Sequence, residues 1–221
     1  MKKMMMVLAL MLAGATMMAP VSASAAFIGE IEGGRAYWET QVGTFSGVDL
    51  PGTTGATLAA YTEIALPYGG VFRTNEALQR LDVGAGWSTW NPYIAGTELL
   101  YTSAQIANFN FWPSGVDSPI QPATSFGFEI EPNFYAPFSI LLYTAEGELS
   151  QTVEGEAGAK FFGWVNEEVY SFTVITYGDS DGFAMGRFVE GTTAVPEPST
   201  LFLLGSGLIG LVGYGRRRMK K

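Results

Sequence analysis

Cysteine and histidine are both absent from the 221 residues. Without cysteine there is no disulfide framework, no thiolate metal site and no lipidated N-terminal cysteine, so stability has to come from packing. Without histidine there is no imidazole base for a serine or cysteine nucleophile and no histidine-ligated zinc. Positive charge is scarce in the body of the chain. Seven of the 12 basic residues lie at the two ends, leaving Arg35, Arg73, Arg80, Lys160 and Arg187 between Ala26 and Val195, against 20 of the 21 acidic residues. The body therefore carries about fifteen net negative charges, a surface that repels nucleic acid and anionic lipid and suits life outside a cell.

The two ends supply what the body lacks. Lys2 and Lys3 precede an apolar run from Met4 to Met18, and Val21-Ser-Ala-Ser-Ala25 provides small residues, with Ala23 and Ala25 at the positions a signal peptidase reads. This is the pattern of a secretory signal helix over residues 1–25, cleaved after Ala25. At the other end, Leu201 to Gly215 would form a helix of about 22 Å, shorter than the hydrocarbon layer of about 30 Å. The basic cluster Arg216, Arg217, Arg218, Lys220 and Lys221 would stop on the cytoplasmic side and snorkel to offset the mismatch, leaving all that precedes Leu201 outside. Gly207, Gly210 and Gly213 recur every three residues, giving either a smooth flank for a partner helix or a plain low-complexity anchor.

Just before this run, Val195-Pro-Glu-Pro-Ser-Thr200 is held extended by two prolines, a form a protease can grip. Pro196, Glu197 and Pro198, then the short apolar stretch, then the arginine-rich end resemble the PEP-CTERM protein-sorting signal of Gram-negative bacteria. That resemblance implies recognition of Pro196-Glu197-Pro198 by an exosortase in the inner membrane, removal of the tail, and delivery to the cell surface or extracellular matrix. It also implies an association with exopolysaccharide or biofilm.

Between the ends, short apolar or alternating runs are separated by turn residues and no long 3.6-residue period appears. The expected fold is all-β, an antiparallel two-sheet sandwich of jelly-roll type over residues 26–190, joined by a linker at 191–195 to the sorting signal at 196–221. Strands are expected at Ser125–Glu131, Phe138–Thr144, Leu149–Val153, Ala159–Val165, Val169–Tyr177 and Phe183–Val189. Phe126, Phe128 and Ile130 should face a core, with Gly127, Glu129 and Glu131 on a solvated face. Ala145-Glu-Gly147 and Ser180-Asp-Gly182 read as hairpin turns. Gly43–Gly55 and Trp87–Thr97 read as loops, and Glu76–Leu81 as a short helical turn. Phe126–Asn133, Gly155–Gly163 and Asp181–Gly186 are similar to a β-sandwich module found in PEP-CTERM proteins and akin to jelly-roll carbohydrate-binding domains; the similarity implies a fold and no ligand residues.

Three groups of side chains invite a chemical reading. Glu129 and Glu131, at i and i+2, would place carboxyls about 7 Å apart, near the separation used by inverting glycosidases, but two neighbours on one strand cannot flank a sugar bond. Asp179, Asp181 and Glu190 have calcium-loop spacing, yet Ala184 stands where that loop needs glycine and Phe183 at a ligand position, which leaves either an edge calcium site through Asp179 and Asp181 or a plain Asp-Gly hairpin turn. Trp87, Trp90, Tyr93 and Trp112 lie in glycine-, serine- and asparagine-rich surroundings, where rings can stack on sugars or cap the core. Trp87 and Trp90 have opposite parity and would not share a face of a straight strand. The expectation is a non-enzymatic exported surface or matrix protein, with a carbohydrate-binding module and a secreted glycoside hydrolase as the competing readings.

Overall fold

The computed structural model describes residues 26–28, 34–90, 95–113, 122–154, 158–178 and 180–193. In chain order the elements are β1 (Ala26–Ile28), α1 (Gly34–Gln41), β2 (Val42–Gly47), β3 (Thr57–Leu58), β4 (Ile64–Ala65), β5 (Val71–Thr74), β6 (Leu78–Asp82), β7 (Glu98–Thr102), β8 (Ile106–Trp112) and β9 (Ala123–Pro132). A single 3₁₀ turn at Asn133–Tyr135 leads to β10 (Phe138–Thr144), β11 (Gly147–Val153), β12 (Lys160–Thr176) and β13 (Phe183–Thr193). Strands account for 59% of the described structure, and neighbouring strands pair antiparallel throughout, as the alternating pattern leads one to expect.

The two separate sheets of the expected sandwich do not form; all thirteen strands belong to one hydrogen-bonded sheet that curls on itself. The path runs β3-β6-β7-β13-β9-β12-β8-β5-β4, with β2 added to β13, β1 and β10 to β12, and β11 to β10. The joint is β12, expected as two strands and present as one of 17 residues. Its first part, Lys160–Val165, pairs with β9, and its last part, Ser171–Ile175, pairs with β8. Between them Asn166 takes a φ of 57°, a left-handed step that lets one strand turn a corner and serve both halves.

Curling brings the aromatic faces of the two halves together. Phe128 of β9 stacks on Phe172 of β12 with centroids 4.9 Å apart, Phe111 of β8 meets Phe126 of β9 at 5.3 Å, and Phe72 of β5 meets Phe188 of β13 at 5.3 Å. These rings, with Ile130, Phe162, Trp164 and Val174, form the main core.

The outer face of the β9 half is also covered. Helix α1 is two turns long, too short to stand alone in water, and is fixed by Trp38, which is fully buried against Phe161, Val165 and Val189. Its indole donates to the Trp164 carbonyl at 2.9 Å. The close approach needs Gly163, where an added Cβ would fall 2.9 Å from the ring. Farther along the same face, Val83, Trp90, Leu99 and Ala184 form a second small cluster beneath the segment after β6.

Several local expectations change. Glu76–Leu81 is not helical: Leu78 and Arg80 turn inward while Gln79 is exposed, and the segment pairs with β7 as β6. Tertiary pairing overrides a weak local preference there. Part of the expected loop Gly43–Gly55 is strand β2, recruited by β13. Strand β13 also continues to Thr193, taking in the first three residues of the expected 191–195 linker. The signal helix and the C-terminal helix lie outside the described residues; among the described residues no helix is long and apolar enough to cross a membrane.

Candidate functional site

Glu129 and Glu131 are not on a solvated face. Their exposures are 5% and 0%, because α1 and the segment after β6 roof the outer side of β9. Glu129 Oε1 accepts from the Arg187 guanidinium at 2.7 Å. Arg187 reaches it from a bulge in β13, where the register shifts between Gly186 and Val189 and Arg187 itself has a φ of 48°. The bulge turns an extra residue outward. Glu129 Oε2 and the neighbouring Trp90 Nε1 remain buried without a hydrogen-bond partner. Burial pushes the Glu129 carboxyl above its ordinary value, outweighing the opposing pull of the Arg187 and Arg35 charges.

Glu131 has a different task. Its Oε2 accepts from the Trp87 indole at 2.9 Å and its Oε1 from the Gly158 amide at 3.3 Å. A fully buried carboxylate thus anchors a tryptophan whose other edge reaches the surface. That surface is a groove of about 510 Å³ whose walls include Trp87, Tyr101, Phe134 and Tyr135, with Gln79 and Asn133 between them. Neither Glu129 nor Glu131 lines it.

The groove is built on an unusual turn. Phe134 is 73% exposed, and both Phe134 and Tyr135 hold left-handed backbone, with φ of 54° and 55°. For non-glycine residues this costs about 1–2 kcal/mol each. Asn133 keeps the turn in place: its backbone amide donates to the Gly182 carbonyl at 2.9 Å, its side-chain amide donates to the Asp181 carbonyl at 3.3 Å, and its side-chain oxygen accepts from the Phe134 amide at 3.1 Å. The Asp181 carbonyl also receives the Tyr101 hydroxyl at 2.8 Å. Burial and then the charge of Asp181 raise the Tyr101 pKa, so the phenol stays a neutral donor. The rings of Trp87 and Tyr101 lie 5.7 Å apart at 46°.

The four aromatic candidates separate. Trp87 walls the groove; Trp90, only three residues on, is 1% exposed in the small outer cluster and is a packing residue. Trp112 is half-buried at the end of β8 with the Arg73 guanidinium 4.3 Å above its ring, on a different hollow of about 290 Å³ beside Tyr68 and Glu190. Tyr93 lies outside the described residues, as do Asp179, Pro196, Glu197, Pro198 and the basic tail. Asp181 is exposed, and its carbonyl is engaged as described. Phe134, Tyr135 and Asn133 were not singled out by sequence. An aromatic pair following Pro132-Asn133 at a strand end was the available signal.

Glu190 yields a pH prediction. It is 8% exposed and accepts from the Tyr68 amide at 2.7 Å, and burial raises its pKa above the ordinary 4.5 despite that bond. A carboxyl with a raised folded pKa binds its proton more tightly in the folded chain. The resulting stability is present below the unfolded value and lost as pH rises through the folded one. Glu190→Gln should therefore melt higher than wild type at pH 7, with the gap closing toward pH 4. Parallel melting curves across that range would contradict this assignment.

The class is thus an antiparallel β-domain with an aromatic-walled groove, its last strand ending immediately before the C-terminal segment. Residues 194–218 match the PEP-CTERM protein-sorting motif, and the chain carries that signal directly after β13. The motif implies exosortase processing and export by way of a C-terminal membrane anchor. A search of curated proteins gives no match. Among solved structures the chain is similar to a family 29 carbohydrate-binding module, at 9% identity over 72% of this chain and 97% of that one, with a TM-score of 0.31. It is also similar to the enzymatically active domain of tailspike protein 4 of bacteriophage CBA120 (12%, 74% and 21%, TM-score 0.28) and to BiXyn10A CBM1 (11%, 70% and 99%, TM-score 0.28). At these scores the likenesses carry no argument about function.

Proposed function

We propose that this is a non-enzymatic exported protein of the cell surface or extracellular matrix, sorted by an exosortase and associated with exopolysaccharide. The observation that carries the reading is the sorting motif at residues 194–218, set one residue beyond a strand that is paired into the sheet to Thr193. Signal peptidase acts at the other end, next to β1, whose Ala26 pairs with Val165. The facing halves of the curled sheet act as the two layers of a jelly-roll-like sandwich, a rigid carrier with no catalytic role for Glu129 or Glu131, which are committed to Arg187 and Trp87.

Mass spectrometry of protein from a producing strain should find a mature chain that begins near Ala26 and lacks Leu201–Lys221. Replacing Pro196 and Pro198 by alanine should leave the tail attached and hold the protein in the membrane fraction. Stable full-length protein in the cytoplasm would overturn the reading. A second reading, that the domain binds carbohydrate through loop aromatics, is favoured by the anchored Trp87 on the groove wall.

A further inference from the structure

We infer that the groove between Trp87 and the Asn133–Tyr135 turn is a binding site for an uncharged polysaccharide, with Phe134 and Tyr135 as its stacking platform. This rests on the carbohydrate-binding reading and adds the location and charge class of the ligand.

Two consecutive aromatic residues are held at φ of 54° and 55°, and the first of them leaves 73% of its surface in water. Exposed aromatic surface in a left-handed turn serves no packing purpose, and strain maintained by surrounding bonds is a mark of a binding element. Asn133 supplies those bonds through Gly182, Asp181 and Phe134. The platform is therefore ordered before any ligand arrives, which lowers the entropy lost on binding.

The character of the lining selects the ligand. Its rings offer flat faces for the C–H faces of pyranose units, while the amides of Gln79 and Asn133 and the hydroxyls of Ser88 and Thr89 can exchange hydrogen bonds with sugar hydroxyls. Among the described residues no Asp, Glu, Lys or Arg lines the groove. The carboxylate nearest to Trp87 is Glu131, which is fully buried behind the ring and already holds it. A cationic peptide would find a single exposed carboxylate close by, that of Asp181, whose charge reaches Tyr101 but which is not part of the described lining. A polyuronate would find no cation in the described lining, and it would approach against the net negative charge of the whole body. All four described arginines are already paired internally, to Glu39, Glu63, Glu98 and Glu129. What remains is a chain that is polar, ring-shaped and uncharged.

The test is affinity electrophoresis of the mature protein, purified from culture, in gels containing hydroxyethyl cellulose, dextran, mannan or alginate. The expected result is retardation by at least one of the three neutral polymers and none by alginate. Phe134→Ala and Tyr135→Ala should each weaken retention about tenfold, as expected for loss of one stacked ring. Their melting temperatures should stay at or above that of wild type, because alanine replaces an exposed ring and not a core one. Binding should also shift tryptophan emission, and Trp87→Phe should abolish that shift. Retention undiminished in the Phe134→Ala, Tyr135→Ala double variant would place sugar binding elsewhere and overturn the groove alone. Retardation by alginate only would overturn the neutral-ligand assignment. Failure of all four polymers to retard the wild type would overturn both the groove and the carbohydrate-binding reading.

Discussion

Gly182→Ala is expected to destabilise the domain by about 3–5 kcal/mol, at the far end of the range for single substitutions, and to abolish ligand retention by the groove. Gly182 has a φ of 85°, and an added Cβ would lie 1.8 Å from the Thr102 carbonyl oxygen and 2.7 Å from the Ser103 Cα. Both obstacles are backbone. They cannot swing away, because Thr102 is paired with Phe183 across the β7–β13 ladder. The turn itself must move, and the Gly182 carbonyl would pull away from the Asn133 amide while the Asp181 carbonyl leaves Tyr101 and the Asn133 side chain. Those contacts hold Phe134 and Tyr135 in place, so stability and binding should fail together. Urea unfolding gives the stability and affinity electrophoresis the binding; a loss below about 1 kcal/mol would show that the clash is relieved locally.

Phe126→Ala should cost about 3–5 kcal/mol as well, for a different reason. Phe126 is fully buried where the two halves of the sheet meet, with Phe111 at 5.3 Å, Trp164 at 5.5 Å, Phe72 at 5.7 Å, and Phe188 and Phe128 just beyond. Five rings mounted on paired strands cannot collapse into the space a sixth leaves, so the cavity term is retained in full. The denaturation midpoint should fall with an unchanged m-value. Below its melting temperature this variant should still bind at the groove, which shares none of these rings. Loss of binding in the folded variant would mean that the groove is coupled to the main core, against the contacts described.

The inward face of β9 was legible because period-2 alternation is a local property: Phe126, Phe128 and Ile130 announce a buried face by themselves. The other face was not legible. Gly127, Glu129 and Glu131 look like a solvated row, and only α1 and the segment carrying Trp90 convert that row into a second buried layer. The same long-range cover assigns Trp87 and Trp90 to opposite fates, groove wall and packing residue. Helix α1 escaped detection because eight residues give too little periodicity and its stability comes from Trp38 docking over Gly163. Phe134 and Tyr135 escaped because their importance depends on Asn133 meeting a turn almost fifty residues away in sequence.

The sequence by itself carried the sorting motif at residues 194–218, which implies exosortase processing and export. Such a motif is a linear message whose residues are adjacent in the chain, so it is legible without folded context. The sequence also determined the all-β character, since alternation and turn residues act within a few positions. Tertiary structure alone decided that β12 joins both halves into one curled sheet, that two glutamates are buried, and that four rings from three segments wall one groove. These depend on contacts between residues far apart in the chain, whose energies no local pattern encodes.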